Sequence, residues 1–291
     1  MNAATPTLGI ALRDVRRQLV AALALQPDVA ALEAYVLLGH TLNKPRAYLL
    51  AHPEVQLSHA TYAQFTALLA RRLQGEPIAY LVGQREFYGL AFTVTPDVLI
   101  PRPETELLVE LALERIPPDQ PVCVLDLGTG SGAIAITLAK HRPQAHITAL
   151  DISSCALSIA RANATRHQTD HITFIESDWF TALPDASHFD LIVANPPYVA
   201  ENDPHLLRQD IQFEPPVALR AGPDGLNAIR HIARFSAPYL NVGAHLLFEH
   251  GYDQQDTCAT ILASQGFSGI ICHLDMGRRP RVSLGKKNTQ H

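Results

Sequence analysis

Asn195-Pro196-Pro197-Tyr198 is the stretch of this chain best equipped to hold a small polar group. Asn195 brings a carbonyl acceptor and an NH2 donor, and Tyr198 brings an aromatic face. Two successive prolines fix φ and donate no N–H, so the Asn195 and Pro196 carbonyls have few local donors and can turn toward a bound group. Together these residues can grip a planar group that carries an NH2. They follow Phe189-Asp190-Leu191-Ile192-Val193-Ala194, an apolar run suited to a parallel strand covered on both faces. The carboxyl end of such a strand is where open α/β sheets bind ligands. Asn-Pro alone reads more often as a rigid surface turn, but all four residues in this setting favour a site.

A second group lies upstream, Asp126-Leu127-Gly128-Thr129-Gly130-Ser131-Gly132, between a strand and its helix. Glycines there let the backbone turn tightly and approach a ligand, and Asp151 ends the next strand where an adenosine ribose would present its hydroxyls. A nicotinamide site also has a glycine turn and a later carboxylate. The spacing here is GxGxG and not GxGxxG, and Asp126 directly before the turn suits a cationic amino acid group better than a pyrophosphate. Both details point to S-adenosyl-L-methionine. Asp178-Trp179-Phe180 then offers a carboxylate for an adenine amino group and flat rings for stacking, although Trp179, the single tryptophan, reads about as readily as core.

The elements that must position these groups alternate. Strands are expected over 122–127, 146–150, 172–175, 189–194, 244–249, 269–274 and 281–284, with helices over 133–141, 153–167, 226–235 and 254–264. That alternation predicts an α/β fold, a doubly wound, mostly parallel seven-stranded sheet. The first eighty or so residues read differently. Leu12, Val15, Leu19 and Leu23 recur at helical spacing, Asp28 opens a second helix, and Ser58 caps a third that stops before Gly75. This small helical bundle carries no glycine loop and no acid/base cluster, and it reads as a structural cap or as a partner-docking module. Phe87 to Val94, aromatic and β-branched around a glycine, reads as a hairpin. The expected division is therefore a helical domain over 1–84, a hairpin linker over 85–100 and a catalytic domain over 101–291. Glu104 and Glu106, early in the helix after Pro101-Arg102-Pro103, suit a helix dipole.

Composition bounds the function. The chain has 291 residues, 47% hydrophobic and 18% charged, with a formal net charge of -5. Basic residues are dispersed, so a large nucleic-acid surface is not advertised. Four separated cysteines form no CxxC pair and read as reduced thiols of a cytosolic protein, and fourteen histidines form no metal-binding spacing. No metal is expected. The amino-terminal stretch lacks a basic region followed by an apolar core, and no apolar run is long enough to span a bilayer. The expectation is a cytoplasmic monomer without membrane or direct nucleic-acid contact.

With DLGTGSG at 126–132, Asp151 and NPPY at 195–198, the chain resembles class I S-adenosyl-L-methionine-dependent methyltransferases of the amino-group type. Gly75-Glu76-Pro77-Ile78-Ala79-Tyr80, Arg85-Glu86-Phe87-Tyr88-Gly89 and Ile100-Pro101-Arg102-Pro103-Glu104-Thr105-Glu106 narrow the match. Through them the chain resembles the PrmC/HemK family, the release factor glutamine methyltransferases. The resemblance implies that Gly128, Thr129, Gly130, Ser131, Gly132, Asp151, Trp179 and Asn195 bind the cofactor. It implies that Asn195, Pro196, Pro197 and Tyr198 bind the glutamine of a GGQ loop, with Asn195, Pro196 and Tyr198 catalytic. It also implies that the amino-terminal helices help dock the release factor. His250 stands where an aliphatic residue is expected, and Arg279-Pro280 interrupts the approach to the last strand. Two rival activities use the same pocket, N5-glutamine methylation of a ribosomal protein and amino-group methylation of a nucleic-acid base. A third rival is a binding module that keeps the cofactor fold without the chemistry.

Overall fold

The computed structural model describes residues 5–288. Residues 1–4, part of the stretch read for a leader, lie outside the described residues. Two compact units emerge, one of Met1–Gln84 with Arg208–Phe213, the other of Arg85–Leu207 with Glu214–His291. Their boundary falls at residue 84. The return of 208–213 to the first unit is not visible in the sequence.

The first unit is helical: α1 (Leu8–Leu23), α2 (Pro27–Leu42), α3 (Arg46–Ala51), α4 (His59–Leu73) and α5 (Ile78–Val82). Leu8, Leu12, Val15 and Leu19 of α1 bury one face against Ala30, Ala34, Leu37 and Leu38 of α2, with Phe65 and Leu69 of α4 closing the core. Ser58 caps α4 as expected, its Oγ accepting from Thr61 N–H at 3.1 Å. The short helices α3 and α5 were not expected, being too brief to show periodicity. Arg72, 7% exposed, is neutralised by Glu33 through a two-pronged pair of 2.8 and 3.0 Å.

After the helices comes the hairpin β1 (Gln84–Phe87) and β2 (Leu90–Thr93), which from Arg85 on belongs to the second unit. Its two-residue turn, Tyr88-Gly89, has φ of 52° and 75°, the doubly left-handed geometry that matches strand twist. Glu106 Oε1 accepts from Tyr88 N–H at 2.8 Å, so this carboxylate braces the hairpin as well as opening α6 (Glu106–Leu113). There follow β3 (Cys123–Leu127), α7 (Ala133–His141), β4 (His146–Asp151), α8 (Ser154–Arg166), β5 (Thr173–Glu176) and β6 (Phe189–Ala194). Then come α9 (Asn227–Ser236), β7 (Leu240–Glu249), α10 (Gln255–Ser264), β8 (Phe267–Leu274) and β9 (Pro280–Lys287).

The seven strands order β5-β4-β3-β6-β7-β9-β8. All neighbours are parallel except β9, which runs antiparallel to both β7 and β8. The chain leaves β3 toward β4 and β5, then returns to place β6 on the other side, so the order reverses between β3 and β6. Val124, Leu125, Leu127, Ile192, Val193 and Ala194 are wholly buried, as central strands with helices on both faces require. Pro280 occupies the first position of β9, where a missing N–H breaks no ladder bond. His250 fits as a neutral core residue: burial lowers its pKa, Nδ1 bonds the Gly251 carbonyl at 2.8 Å and Nε2 meets Ser283 Oγ at 2.9 Å.

Candidate active site

Three strand ends build the site. β3 pairs with β4 and β6 so that Leu127 stands beside Leu150 on one side and Ala194 on the other. The next residues of each strand, Gly128, Asp151 and Asn195, therefore emerge along one edge. A cavity of about 500 Å³ opens there. Gly128, Thr129, Gly130, Ser131, Asp151, Trp179, Asn195 and Pro197 line it, joined by Thr105, Asp178 and His231. Gly132, Pro196 and Tyr198, which the sequence also singled out, are not on its wall.

The glycines divide by task. Gly128 and Gly130 have φ of 72° and 56°, and a Cβ at either would stand in open space. A bound molecule can approach the bare backbone there. Gly132 is different: at φ 82° its Cβ would fall 2.7 Å from Ile136 Cδ1 and 3.2 Å from Ala160 Cβ. It lets α7 start tight against α8, a packing role.

Two carboxylates face this turn. Asp151 Oδ2 accepts from Gly130 N–H at 2.8 Å and Oδ1 from Ser153 N–H at 2.9 Å, so it holds the loop's shape and keeps lone pairs for further donors. Burial raises its pKa, and those N–H groups offset only part of the rise. Asp126 is wholly buried, and burial pushes its carboxyl up to about 7 against bonds that favour the charge. Its Oδ2 accepts from Thr129 Oγ1 at 2.7 Å. Its Oδ1 makes no well-formed hydrogen bond among the described residues, although the Ala135 N–H at the start of α7 eases its charge. A buried carboxylate oxygen without a partner is costly, and a cationic amino group bound at the turn would relieve it.

Trp179 is half-buried with φ 51°, a left-handed conformation uncommon for so large a side chain, and its carbonyl accepts from Ser177 Oγ at 2.8 Å. His231 of α9 lies with its ring centroid 6.1 Å from Trp179, and burial lowers its pKa. These flat groups sit on the cavity wall with exposed Asp178. With open glycines and the Asp151 carboxylate on the cavity wall, and buried Asp126 just before the turn, the residues fit S-adenosyl-L-methionine.

At the other end Asn195 is oriented by a residue the sequence reading passed over. Its Nδ2 donates to Thr105 Oγ1 at 3.0 Å, and Thr105, 4% exposed, donates to Glu249 Oε2 at 2.6 Å. The Tyr198 hydroxyl donates to Glu249 Oε1 at 3.0 Å. Tyr198 thus turns its hydroxyl toward β7, its ring packing beside the core formed by β3, β6 and β7. Burial and the neighbouring carboxylate drive its pKa far above the ordinary phenol, so it stays protonated. Its carbonyl accepts from Gln254 Nε2 at 3.1 Å. The Pro196 carbonyl accepts no hydrogen bond among the described residues. Beyond the turn, Val199 and Ala221 exchange bonds with Leu219 and Val199 carbonyls at 2.9 and 3.0 Å, folding the irregular stretch back on Tyr198. Glu214, 4% exposed, anchors that stretch by accepting from Ile100 N–H at 3.1 Å and from Arg102.

The chain matches the Methyltransferase small domain over residues 104–218 and the PrmC N-terminal domain over residues 11–83. It is 48% identical over 263 residues to the release factor glutamine methyltransferase of Vibrio cholerae, covering 90% of this chain and 92% of that protein. To the release factor glutamine methyltransferase of Burkholderia pseudomallei it is 47% identical over 261 residues, covering 88% and 92%. Among solved structures, the 16S rRNA N2 G1207 methyltransferase of T. thermophilus in complex with AdoMet and guanosine has a TM-score of 0.52 at 20% identity, covering 70% of this chain and 50% of that one. That likeness is one of fold. Identity near one residue in two, sustained over almost the whole of both chains, makes this chain a member of the release factor glutamine methyltransferase family.

Proposed function

We propose that Asn195 and Pro196 hold the side-chain amide of a release-factor glutamine, the GGQ-loop glutamine, for methylation at N5. The observation that carries this reading is the polarity of Asn195: its NH2 is committed to Thr105, and Oδ1 remains as an acceptor on the cavity wall. An amide nitrogen is a poor nucleophile because its lone pair is delocalised into the carbonyl. Asn195 Oδ1 and the Pro196 carbonyl, which accepts no other bond among the described residues although Pro196 stands behind the cavity wall, accept its two N–H bonds and turn the nitrogen toward the cofactor. Such positioning can contribute about 7–11 kcal/mol of barrier reduction. Acceptors fixed in advance also favour the positive charge that grows on nitrogen.

S-adenosyl-L-methionine, the cofactor of this transferase, supplies the methyl as an electrophilic sulfonium. Gly128, Thr129, Gly130, Ser131 and Asp151 would hold it, Asp126 would favour its cationic amino group and Trp179 would offer its base a flat ring. No general base is needed at Asn195: as the nitrogen–carbon bond forms and the sulfur–carbon bond breaks, the amide proton becomes acidic and passes to water. Pro197 walls the substrate and Tyr198 closes the turn from behind. The helical unit docks the release factor away from the loop, and exposed Val29 and Leu32 of α2 offer it apolar contact. We place this chemistry in a cytoplasmic monomer that makes no direct nucleic-acid contact. Four free cysteines and an acidic balance support that setting, and no helix among the described residues is long and apolar enough to cross a membrane.

The test is incubation of intact release factor with labelled S-adenosyl-L-methionine and mapping of the product by mass. One methyl on the GGQ glutamine amide is expected. A methyl on a ribosomal-protein glutamine or a nucleobase, with the release factor untouched, overturns the reading. For docking, Leu32→Asp should raise KM for the intact factor and leave use of a short GGQ peptide unaltered.

A further inference from the structure

Behind Asn195 and Tyr198 stands a carboxylate that neither sequence motif contains. Glu249 closes β7 after Leu246-Leu247-Phe248 and is 1% exposed, yet it does not line the cavity. Its two oxygens take the hydroxyls of Thr105 and Tyr198, and Thr105 in turn takes Asn195 Nδ2. The direction of this relay follows from what each group can do. An amide NH2 only donates, a hydroxyl has one proton to give, and an ionised carboxylate only accepts. Once Thr105 accepts from Asn195, its proton goes to Glu249. Turn the Asn195 amide over and Thr105 must choose between Asn195 Oδ1 and Glu249 Oε2, leaving one buried acceptor unpaired. Burial raises the Glu249 pKa above the ordinary carboxylate, and the two hydroxyls with nearby Arg281 pull it back toward the charged form.

We propose that Glu249 is a positioning residue: through Thr105 it selects the Asn195 amide orientation that presents an acceptor to the substrate nitrogen, and through the Tyr198 hydroxyl it fixes the same turn from its far end. This rests on the reading that Asn195 Oδ1 accepts from the substrate amide. It gives that reading a cause outside the motif and a specificity. A site held in this polarity welcomes a nucleophile bearing hydrogens and repels a side-chain carboxylate, so glutamate in place of the substrate glutamine meets oxygen with oxygen.

The experiment compares steady-state methylation of intact release factor by Thr105→Val, Thr105→Ser, Glu249→Met and Asn195→Ala, with calorimetric S-adenosyl-L-methionine affinity reporting the fold. Thr105→Val keeps the shape and removes the hydroxyl, and Glu249→Met removes both acceptors. Each should lower kcat by roughly 30-fold or more, with KM for the release factor and cofactor affinity within about threefold of the parent. Thr105→Ser, which keeps the hydroxyl, should recover kcat to within about threefold. The Thr105 pair decides the matter if Glu249→Met does not fold. Thr105→Val or a folded Glu249→Met with more than about a third of parental kcat overturns the inference, as do equal losses in Thr105→Ser and Thr105→Val, which would make packing the cause. Either result beside an inactive Asn195→Ala leaves the role of Asn195 standing, whereas an active Asn195→Ala overturns the underlying reading itself.

Discussion

The two ends of the cavity are made by different rules. At the end proposed for the cofactor the wall is built on backbone: a glycine turn five residues long, shaped by Asp151 through Gly130 N–H, 21 residues away. At the end proposed for the substrate the acceptors are the Asn195 side chain and the Pro196 carbonyl, and what orients Asn195 lies far off in sequence. Thr105 is 90 residues before Asn195, and Glu249 is 51 residues after Tyr198. A backbone site depends on conformations few residues adopt, and a side-chain site depends on hydrogen-bond partners that the whole sheet must bring together. Damage at the first end should therefore appear in cofactor affinity, and damage at the second in turnover.

The largest effect expected is that of Asn195→Ala. Loss of one fixed partner of the reacting group should lower kcat by about 10² to 10³ with cofactor affinity within a few-fold. Single-turnover kinetics at saturating cofactor measures it. A loss of affinity equal to the loss of rate would erase the distinction between the ends.

Asp151→Ala comes next and should show the opposite pattern. Charge-assisted hydrogen bonds contribute about 1.5–3 kcal/mol each, so cofactor affinity should weaken at least about tenfold in calorimetry. At saturating cofactor kcat should change little. A collapse of kcat there would mean that the turn positions the reaction as well as the cofactor.

Asp126→Asn tests whether the cofactor end is held under strain for the sake of its ligand. The folded-state pKa of Asp126 is raised to about 7 from an ordinary 3.8. The unfolded chain therefore ionises first as pH rises, and the folded state loses stability between about pH 4 and pH 7. Asparagine carries no such cost. Without cofactor, its thermal midpoint should rise at pH 8 by an amount worth at most about 4 kcal/mol and match the parent near pH 4. Cofactor affinity should fall in the same variant. A variant neither more stable at pH 8 nor weaker in binding would remove Asp126 from the site.

The smallest effect is that of Tyr198→Phe. It keeps the ring and removes one of the two donors to Glu249, so a cost of about 1 kcal/mol, roughly fivefold in kcat, is expected. Titrating initial rates at fixed cofactor resolves it. A much larger loss would move Tyr198 from behind the turn to the substrate.

The same contrast explains what the sequence could reveal. Gly128, Gly130 and Asp151 are legible because a strand, a glycine turn and a strand-ending carboxylate are local patterns. Asn195 is legible because Asn-Pro-Pro-Tyr as a whole closes an apolar run, a setting that favours a site where Asn-Pro alone would read as a turn. Thr105 sat unnoticed between two glutamates whose charges invited a helix-dipole account, and its function requires a partner 144 residues away. Glu249 left a faint signal, a carboxylate closing a wholly apolar strand. The start of β7 was missed for a conformational reason: Gly243 has φ 81° and the pairing with β6 slips between Phe189 and Leu191, so no clean alternation precedes Ala244.

Arg208–Phe213 carries a consequence for how this gene can be cut. Those residues belong to the helical unit, although they are encoded between the active-site turn and Glu214. Gly75, with φ 99°, leaves so little room that a Cβ there would stand 2.7 Å from that of Gln209. The helical unit is thus a discontinuous domain, written in two places. A chimera that exchanges only the first 84 residues with a relative would mate one lineage's Gly75 with another's Gln209, and recombination within this family should succeed more often when both segments travel together.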